Sequence, residues 1–364
     1  RDGRICCPPD GAASVLVISP GREAPPSVSR IARPCGGGAA AQEAAGRGIE
    51  WSRGTLGADG LLYCGAFDGR SALAVDASMG VARAIGSSGD GLLSGPLNIL
   101  DGRAKWSDPS AAADGRLYAA PFDSQSVLVI DPASQSIDAF WDPELNVQGE
   151  AKWARGVPAG DGCLYCAPLS APSVLVIRPE PRSLGLLGDL GCSQGKWNEG
   201  VLGADGGVYC SPDSATEVLA IDPETQQVTT FGSLPEGRRK WTKGVLAPDG
   251  CIYCAPLCVG SVLVIDPAAR SASVVDSGAL PGRFLWAHGV LGPDGRIYCG
   301  PLTAPSVLVI DPRLRGAQGF LSGLGDFGTD RFKWNHGALG ADGRLYFSPA
   351  MHRSVGLLVV EAGG

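Results

Sequence analysis

Short apolar runs recur along this chain at a near-constant spacing, separated by polar segments rich in Gly and Pro. The clearest unit begins at Lys240. Gly244 to Ala247 reads as a short strand, A, and Pro248-Asp249-Gly250 as a tight hairpin turn in which Gly supplies the positive φ. Cys251 to Ala255 reads as strand B, closed by Pro256, which has no N–H to give a ladder. Ser261 to Ile265 is strand C; its unbroken Val-Leu-Val-Ile implies burial on both faces. Asp266-Pro267 opens a turn, and Ser273 to Asp276 forms a more polar strand D. Four antiparallel strands grading from apolar to polar describe one propeller blade, inner edge to outer.

Versions of this unit fill the chain. The tryptophans that open it are Trp51, Trp106, Trp153, Trp197, Trp241, Trp286 and Trp334, at steps of 55, 47, 44, 44, 45 and 48 residues. A period in this range, with several strands per unit, means a propeller and not a helical solenoid. At the turn position of the repeat, Asp-Gly recurs eight times, at Asp2, Asp59, Asp114, Asp161, Asp205, Asp249, Asp294 and Asp342. The expectation is a single all-β propeller domain over residues 1–364, with eight four-stranded units beginning near 1, 51, 106, 153, 197, 241, 286 and 334. The first unit lacks a recognisable strand A, and the last has no room for strand D. A seven-bladed ring, with one terminal unit displaced, is the alternative.

Composition fits this picture. The 54 glycines and 28 prolines would suggest low complexity if the apolar runs were absent; here they mark turns. Net charge is −7, and the 30 basic residues are scattered, so nucleic acid is not an expected partner. No stretch approaches the roughly 18 apolar residues of a bilayer span, although peripheral association with a membrane complex is compatible with the chain. It begins at Arg1 without an initiator Met, so either a targeting segment has been removed or the sequence is incomplete. Compartment is left open, between an organelle and the cytoplasm.

Twelve cysteines invite a disulfide reading. Yet Cys7, Cys64, Cys166, Cys210, Cys254 and Cys299 all occupy one repeat position, after the Tyr of strand B, where Ala119 and Phe347 stand in two other units. The expectation is buried free thiols acting as small apolar fillers. The Trp of each unit is expected to pack blade on blade, and the Asp of each Ile-Asp-Pro to cap the following turn. Cys163-Leu164-Tyr165-Cys166 and Cys251-Ile252-Tyr253-Cys254 spell Cys-x-x-Cys, but residues i and i+3 of a strand face opposite ways, so no metal site is expected there. Departures from the repeat fall in the D-to-A connections: 34–50, 86–104, 138–151 with the extra Trp141, and 313–332.

The pattern Gly-Val-Leu-x-x-Asp-Gly-x-Ile-Tyr-Cys-x-Pro, then Ser-Val-Leu-Val-Ile-Asp-Pro, resembles the YVTN/NHL-type β-propellers, and more closely the Lys-Trp repeat propellers of algae and protists. The likeness covers about residues 2–361. It implies the propeller fold. It implies little about activity, because such propellers serve as scaffolds, lyases, lactonases and dehydrogenases.

One position behaves differently from the rest of the repeat. Two residues after each Trp stand Arg53, Asp108, Arg155, Glu199, Lys243, His288 and His336, all ionisable. In the propellers this chain resembles, that residue lies at the mouth of the central channel. The seven would form either a set of compensating ion pairs or a polar binding site in which the His pair serves as acid and base or holds a metal. The position is too basic for a lactonase-type calcium site, and His288, His336 and Glu199 only faintly echo streptogramin-lyase-like propellers. His-Glu-x-x-His is missing from the sequence. The expected function is a non-catalytic protein-interaction scaffold with no cofactor and no metal. A partner would dock on the channel-mouth face, made of D–A connections and B–C loops such as Leu169-Ser170-Ala171-Pro172, with the protein as an accessory or assembly subunit of a larger, organellar complex. The alternative is a small-molecule lyase or hydrolase working at the seven-residue site.

Overall fold

Each repeat unit folds into its own antiparallel sheet, giving an eight-bladed β-propeller in the computed structural model. The structure describes residues 3–8, 14–21, 25–32, 51–69, 71–86, 104–143, 145, 147–278, 282, 284–350 and 356–363. Its one helical piece among them is the 3-10 turn Pro312–Leu314. The chain divides into two compact units, Arg1–Ser193 and Gln194–Gly364, each holding four blades.

In the second unit, blade six shows the plan. Strands Trp241–Leu246, Ile252–Pro256, Ser261–Asp266 and Ser271–Asp276 lie in that order across the sheet. Strand A starts three residues earlier than its apolar pattern implies. Gly244 pairs with Cys254, and Trp241 rejoins the ladder opposite Pro256, so strand A carries one extra residue in a β-bulge. The same bulge lies between Trp and Gly in blades two, four, five, seven and eight. Blade three departs from it. Pro109 replaces the Gly, strand A shrinks to Ser110–Ala111, and Trp106 is held by an isolated bridge to Pro121.

Glycine after the bulge is a packing requirement. A Cβ on Gly289 would lie 2.4 Å from Ile297 Cγ2 and 3.4 Å from Cγ2 of Val245 on the preceding blade. Bare backbone here lets successive A strands close on one another. Strand C is the buried strand its sequence implied: Val262 to Ile265 are at most 1 % exposed.

The terminal sheets have three strands each, Ile5–Cys7, Ser14–Ser19 and Ser27–Ala32 at one end and Trp334–Leu339, Arg344–Pro349 and Leu358–Glu361 at the other. The first is a packed blade, since Val15, Val17 and Ile31 share a core with Trp51, Cys64 and Leu73 of blade two. The count is therefore eight, and the seven-bladed alternative is set aside.

Three polar ties recur through the repeats. The Trp indole N–H donates to the carbonyl at the head of strand C, as from Trp241 to Ser261 at 2.7 Å and from Trp106 to Ser126 at 2.6 Å. The ring meanwhile packs on the preceding blade, Trp286 joining Tyr253, Val262 and Val264. This is the blade-to-blade role expected of it. In the second tie, the Asp of each described Asp-Gly turn accepts from the Tyr hydroxyl four residues on, at 2.5–2.8 Å. Its other oxygen accepts the N–H two residues on, at 3.1 Å for Asp249 and Cys251. Burial first, then the adjacent carboxylate, pushes the phenols of Tyr63, Tyr118, Tyr209, Tyr253, Tyr298 and Tyr346 upward; Tyr118 and Tyr346 reach about 12.

The third tie is a lysine. Lys105, Lys152, Lys196, Lys240 and Lys333, each immediately before a Trp, are only 0–4 % exposed. Lys240 Nζ donates to Ala215 O at 2.7 Å and Gly237 O at 3.4 Å, 5.6 Å over the Trp241 ring. Lys333 Nζ donates to Gly328 O and Asp330 O at 3.0 and 2.9 Å. Desolvation lowers the pKa of Lys152, Lys240 and Lys333. The Ile-Asp-Pro aspartates cap their turns as expected, Asp131 Oδ1 accepting from the N–H groups of Ala133 and Ser134.

Cys64, Cys166, Cys210, Cys254 and Cys299 are fully buried free thiols. Cys7 corrects the expectation. It occupies the same register position, but its strand is the edge of a three-stranded sheet, so it is half-buried. We expect the five buried thiols to resist alkylation in the native protein and react promptly after unfolding, while exposed Cys192 reacts at once. Prompt native labelling of the five, read by peptide mass mapping, would contradict this packing. Of the connections, residues 33–50 and 87–103 lie outside the described residues. Residues 313–332 are more than a connection, because they carry strand D of blade seven, Leu321–Leu324.

Candidate functional site

The bulge in strand A decides where the seven ionisable residues go. An extra residue between Trp and Gly re-aims the side chain two positions after Trp, out of the strict alternation of the strand. In the first unit, Arg53 Nε lies 3.5 Å from Asp108 Oδ2 on the next blade, and the Arg53 N–H donates to Asp108 Oδ1 at 2.8 Å. Arg155 reaches back over two blades, donating from Nε to Ser110 Oγ at 2.8 Å and from Nη2 to Thr55 Oγ1 at 2.9 Å. In the second unit, Lys243 Nζ meets Glu199 Oε1 at 2.5 Å. The rings of His288 and His336 stand 5.1 Å apart at 37°.

Each residue thus engages a neighbouring blade within its own unit. Arg53 is half-exposed, so its pair is worth about 0–1 kcal/mol. Glu199 is more enclosed and holds its lysine more firmly. Among the described residues, no three His, Cys, Asp or Glu side chains converge as metal ligands. Cys163 and Cys166 differ in burial, and Cys251 accepts an N–H from Arg315 at 2.8 Å.

A concavity of about 420 Å³ lies in the first unit between the hairpin turns of blades two and three. Its carboxylates have structural duties. Asp59 holds Tyr63, Asp114 holds Tyr118, and Asp131 pairs with Arg116 Nε at 3.1 Å.

No protein-family model and no curated protein matches this sequence. Solved structures do. Virginiamycin B lyase from Staphylococcus aureus superposes with a TM-score of 0.61 at 10% identity, over 82% of this chain and 92% of that one. Hydrazine synthase of Kuenenia stuttgartiensis gives 0.57 at 16% identity, over 86% and 96%. An extracellular domain from B. thetaiotaomicron gives 0.60 at 13%, covering 96% of this chain but 45% of the other. The likeness is one of fold. At these identities neither chemistry nor ligand transfers with it.

The sequence pattern singled out the position two residues after each Trp and passed over the second and third positions before it. There Arg238-Arg239, Arg283-Phe284 and Arg331-Phe332 stand in three successive units. Arg239 lies 5.5 Å over the Phe284 ring, which lies 5.5 Å from the Phe332 ring. The repetition of Arg followed by Arg or Phe was the available signal.

Proposed function

We propose that this protein is a non-catalytic interaction scaffold, one propeller domain over residues 1–364, docking a protein partner on its channel-mouth face. The observation that carries the reading is the engagement of Arg53 with Asp108, of Glu199 with Lys243, and of Arg155 with Ser110 and Thr55. Within each unit, side chains committed to neighbouring blades form a firm, mixed-charge surface suited to selecting a complementary one. They are poorly placed to converge on one reacting atom. The setting that goes with this reading is an accessory or assembly subunit of a larger, organellar complex. No helix among the described residues is long and apolar enough to cross a membrane.

The spacing of His288 and His336 favours a second reading, a lyase or hydrolase acting at that pair. One set of variants separates the two. Glu199→Lys is expected to weaken binding to the partner that co-purifies with the native chain, more at low salt than at high, and the Glu199→Lys/Lys243→Glu exchange to restore it. Melting curves would confirm that each variant folds. Turnover of virginiamycin B, lost on His288→Ala or His336→Ala, would instead establish the catalytic reading.

A further inference from the structure

We propose that the entry side of blades six to eight, centred on Arg239, Phe284 and Phe332, is the docking site for an acidic segment of a protein partner. This rests on the scaffold reading and names the chemistry its partner brings.

The argument starts from the backbone. The residue before the buried Lys, or before Leu285 in blade seven, is left-handed: Ala104, Ala151, Arg239, Phe284 and Phe332 have φ of 48, 49, 54, 60 and 54°. Gly195 has 61°. In blades three to five the position holds Ala, Ala and Gly, so the fold sets the backbone conformation there without needing a large side chain. A bulky ring there is costly. The fold therefore does not ask for Phe284 and Phe332. An outlier that the scaffold does not need points to a task at the surface.

The side chains form a ladder across three successive blades. The Arg239 guanidinium covers one face of Phe284, and Phe284 leans on Phe332 at 46°. Both rings are half-exposed, and Arg238, Arg239 and Arg331 are exposed. Arg238 and Arg331 make no ion pair among the described residues. The exposed charges in residues 236–239 and 330–331 are Arg238, Arg239 and Arg331 against Glu236 and Asp330, on a chain whose net charge is −7. A basic, aromatic surface on an acidic protein is complementary to carboxylates. Arginine forks bind them bidentately, and the rings supply apolar anchorage. Nucleic acid suits the geometry less. Single-stranded bases stack on open aromatic faces, whereas Phe284 is capped by Arg239 and already touches Phe332.

The test measures fluorescence anisotropy of a short Asp/Glu-rich peptide containing Leu, its Asn/Gln counterpart, and an oligothymidylate of equal length. The acidic peptide should bind best, and less well at high salt. Its affinity should fall about tenfold or more in Arg238→Glu/Arg331→Glu, and should fall in Phe284→Ala/Phe332→Ala. Arg182→Glu, outside the patch, should leave it unchanged. Should the charge-reversed protein fail to fold, Arg238→Gln/Arg331→Gln gives the same comparison. Equal binding of the neutral peptide, no loss in the Arg variants, or preference for the oligothymidylate overturns the proposal. If the native partner tolerates the Arg variants but not Glu199→Lys, this site fails while the scaffold reading stands. If the acidic peptide binds here yet His-dependent turnover is found, the site survives and the scaffold reading falls.

Discussion

Replacing Trp241 by Ala is expected to destabilise the unit Gln194–Gly364 by about 3–5 kcal/mol, the range for deleting a buried aromatic ring. The side chain is 1 % exposed and shares a core with Tyr209, Val218 and Ala220 of the preceding blade. Its indole N–H also holds the Ser261 carbonyl, which alanine would leave without that donor. Trp241→Phe separates the two effects, since it keeps most of the ring and loses the hydrogen bond, worth about 1 kcal/mol. Trp141 gives the contrast. It is 40 % exposed, and alanine there should change stability by at most about 0.5 kcal/mol. Urea titrations of the three variants would show this order. A Trp241→Ala midpoint matching wild type would refute the tie between blades.

Alkali should unfold the protein early. Burial raises the thiols of Cys64, Cys210, Cys254 and Cys299 above their ordinary 9.0, Cys254 to about 12. Burial and the turn carboxylates raise Tyr63, Tyr118, Tyr209, Tyr253, Tyr298 and Tyr346 above 10.0. The folded state therefore keeps protons that the unfolded chain has released, so stability is full below pH 9 and declines above it. Each fully buried thiol contributes a loss of about 1.4 kcal/mol per pH unit in that range. Lys152, Lys240 and Lys333 act in the opposite sense. Their lowered pKa values mean that the unfolded chain binds more protons just below 10.5, which adds stability as pH rises. Three such groups do not offset ten. Melting temperature against pH should turn downward near 9, and Cys254→Ala should flatten the fall. A profile level through the tyrosine range would overturn the assignment.

The strands and turns were legible because each depends on local chemistry. Val262 to Ile265 could only be a two-sided buried strand, and Pro248-Asp249-Gly250 only a hairpin. The lysine tie was not legible. A Lys before a Trp normally reads as a solvated charge, and nothing local shows that Ala215 O and Gly237 O will receive its ammonium. Its recurrence in five units was the signal. The bulge was hidden for a similar reason, since Gly244 reads as the start of strand A when only apolar residues are weighed. The candidate site was half legible. Seven ionisable residues stood out by position, but which blade each would engage depends on reach, as with Arg155 passing Ser110 to Thr55.

The Asp–Tyr and Trp–carbonyl bonds begin and end within one repeat, whereas the contacts between repeats combine apolar packing with a few bonds that recur at one repeat position, such as those from the Lys152 and Lys333 N–H groups to the carbonyls of Phe122 and Leu302. Directional bonds demand an exact partner; apolar contacts demand only comparable volume. A gene segment encoding one repeat therefore carries its own specificity with it. It can be copied beside itself or exchanged with another, and the new junction reuses the bonds to backbone carbonyls that the old one made. Blade number and the residues facing a partner are thus free to change by duplication and drift, while the interior of each copy stays correct from the first generation.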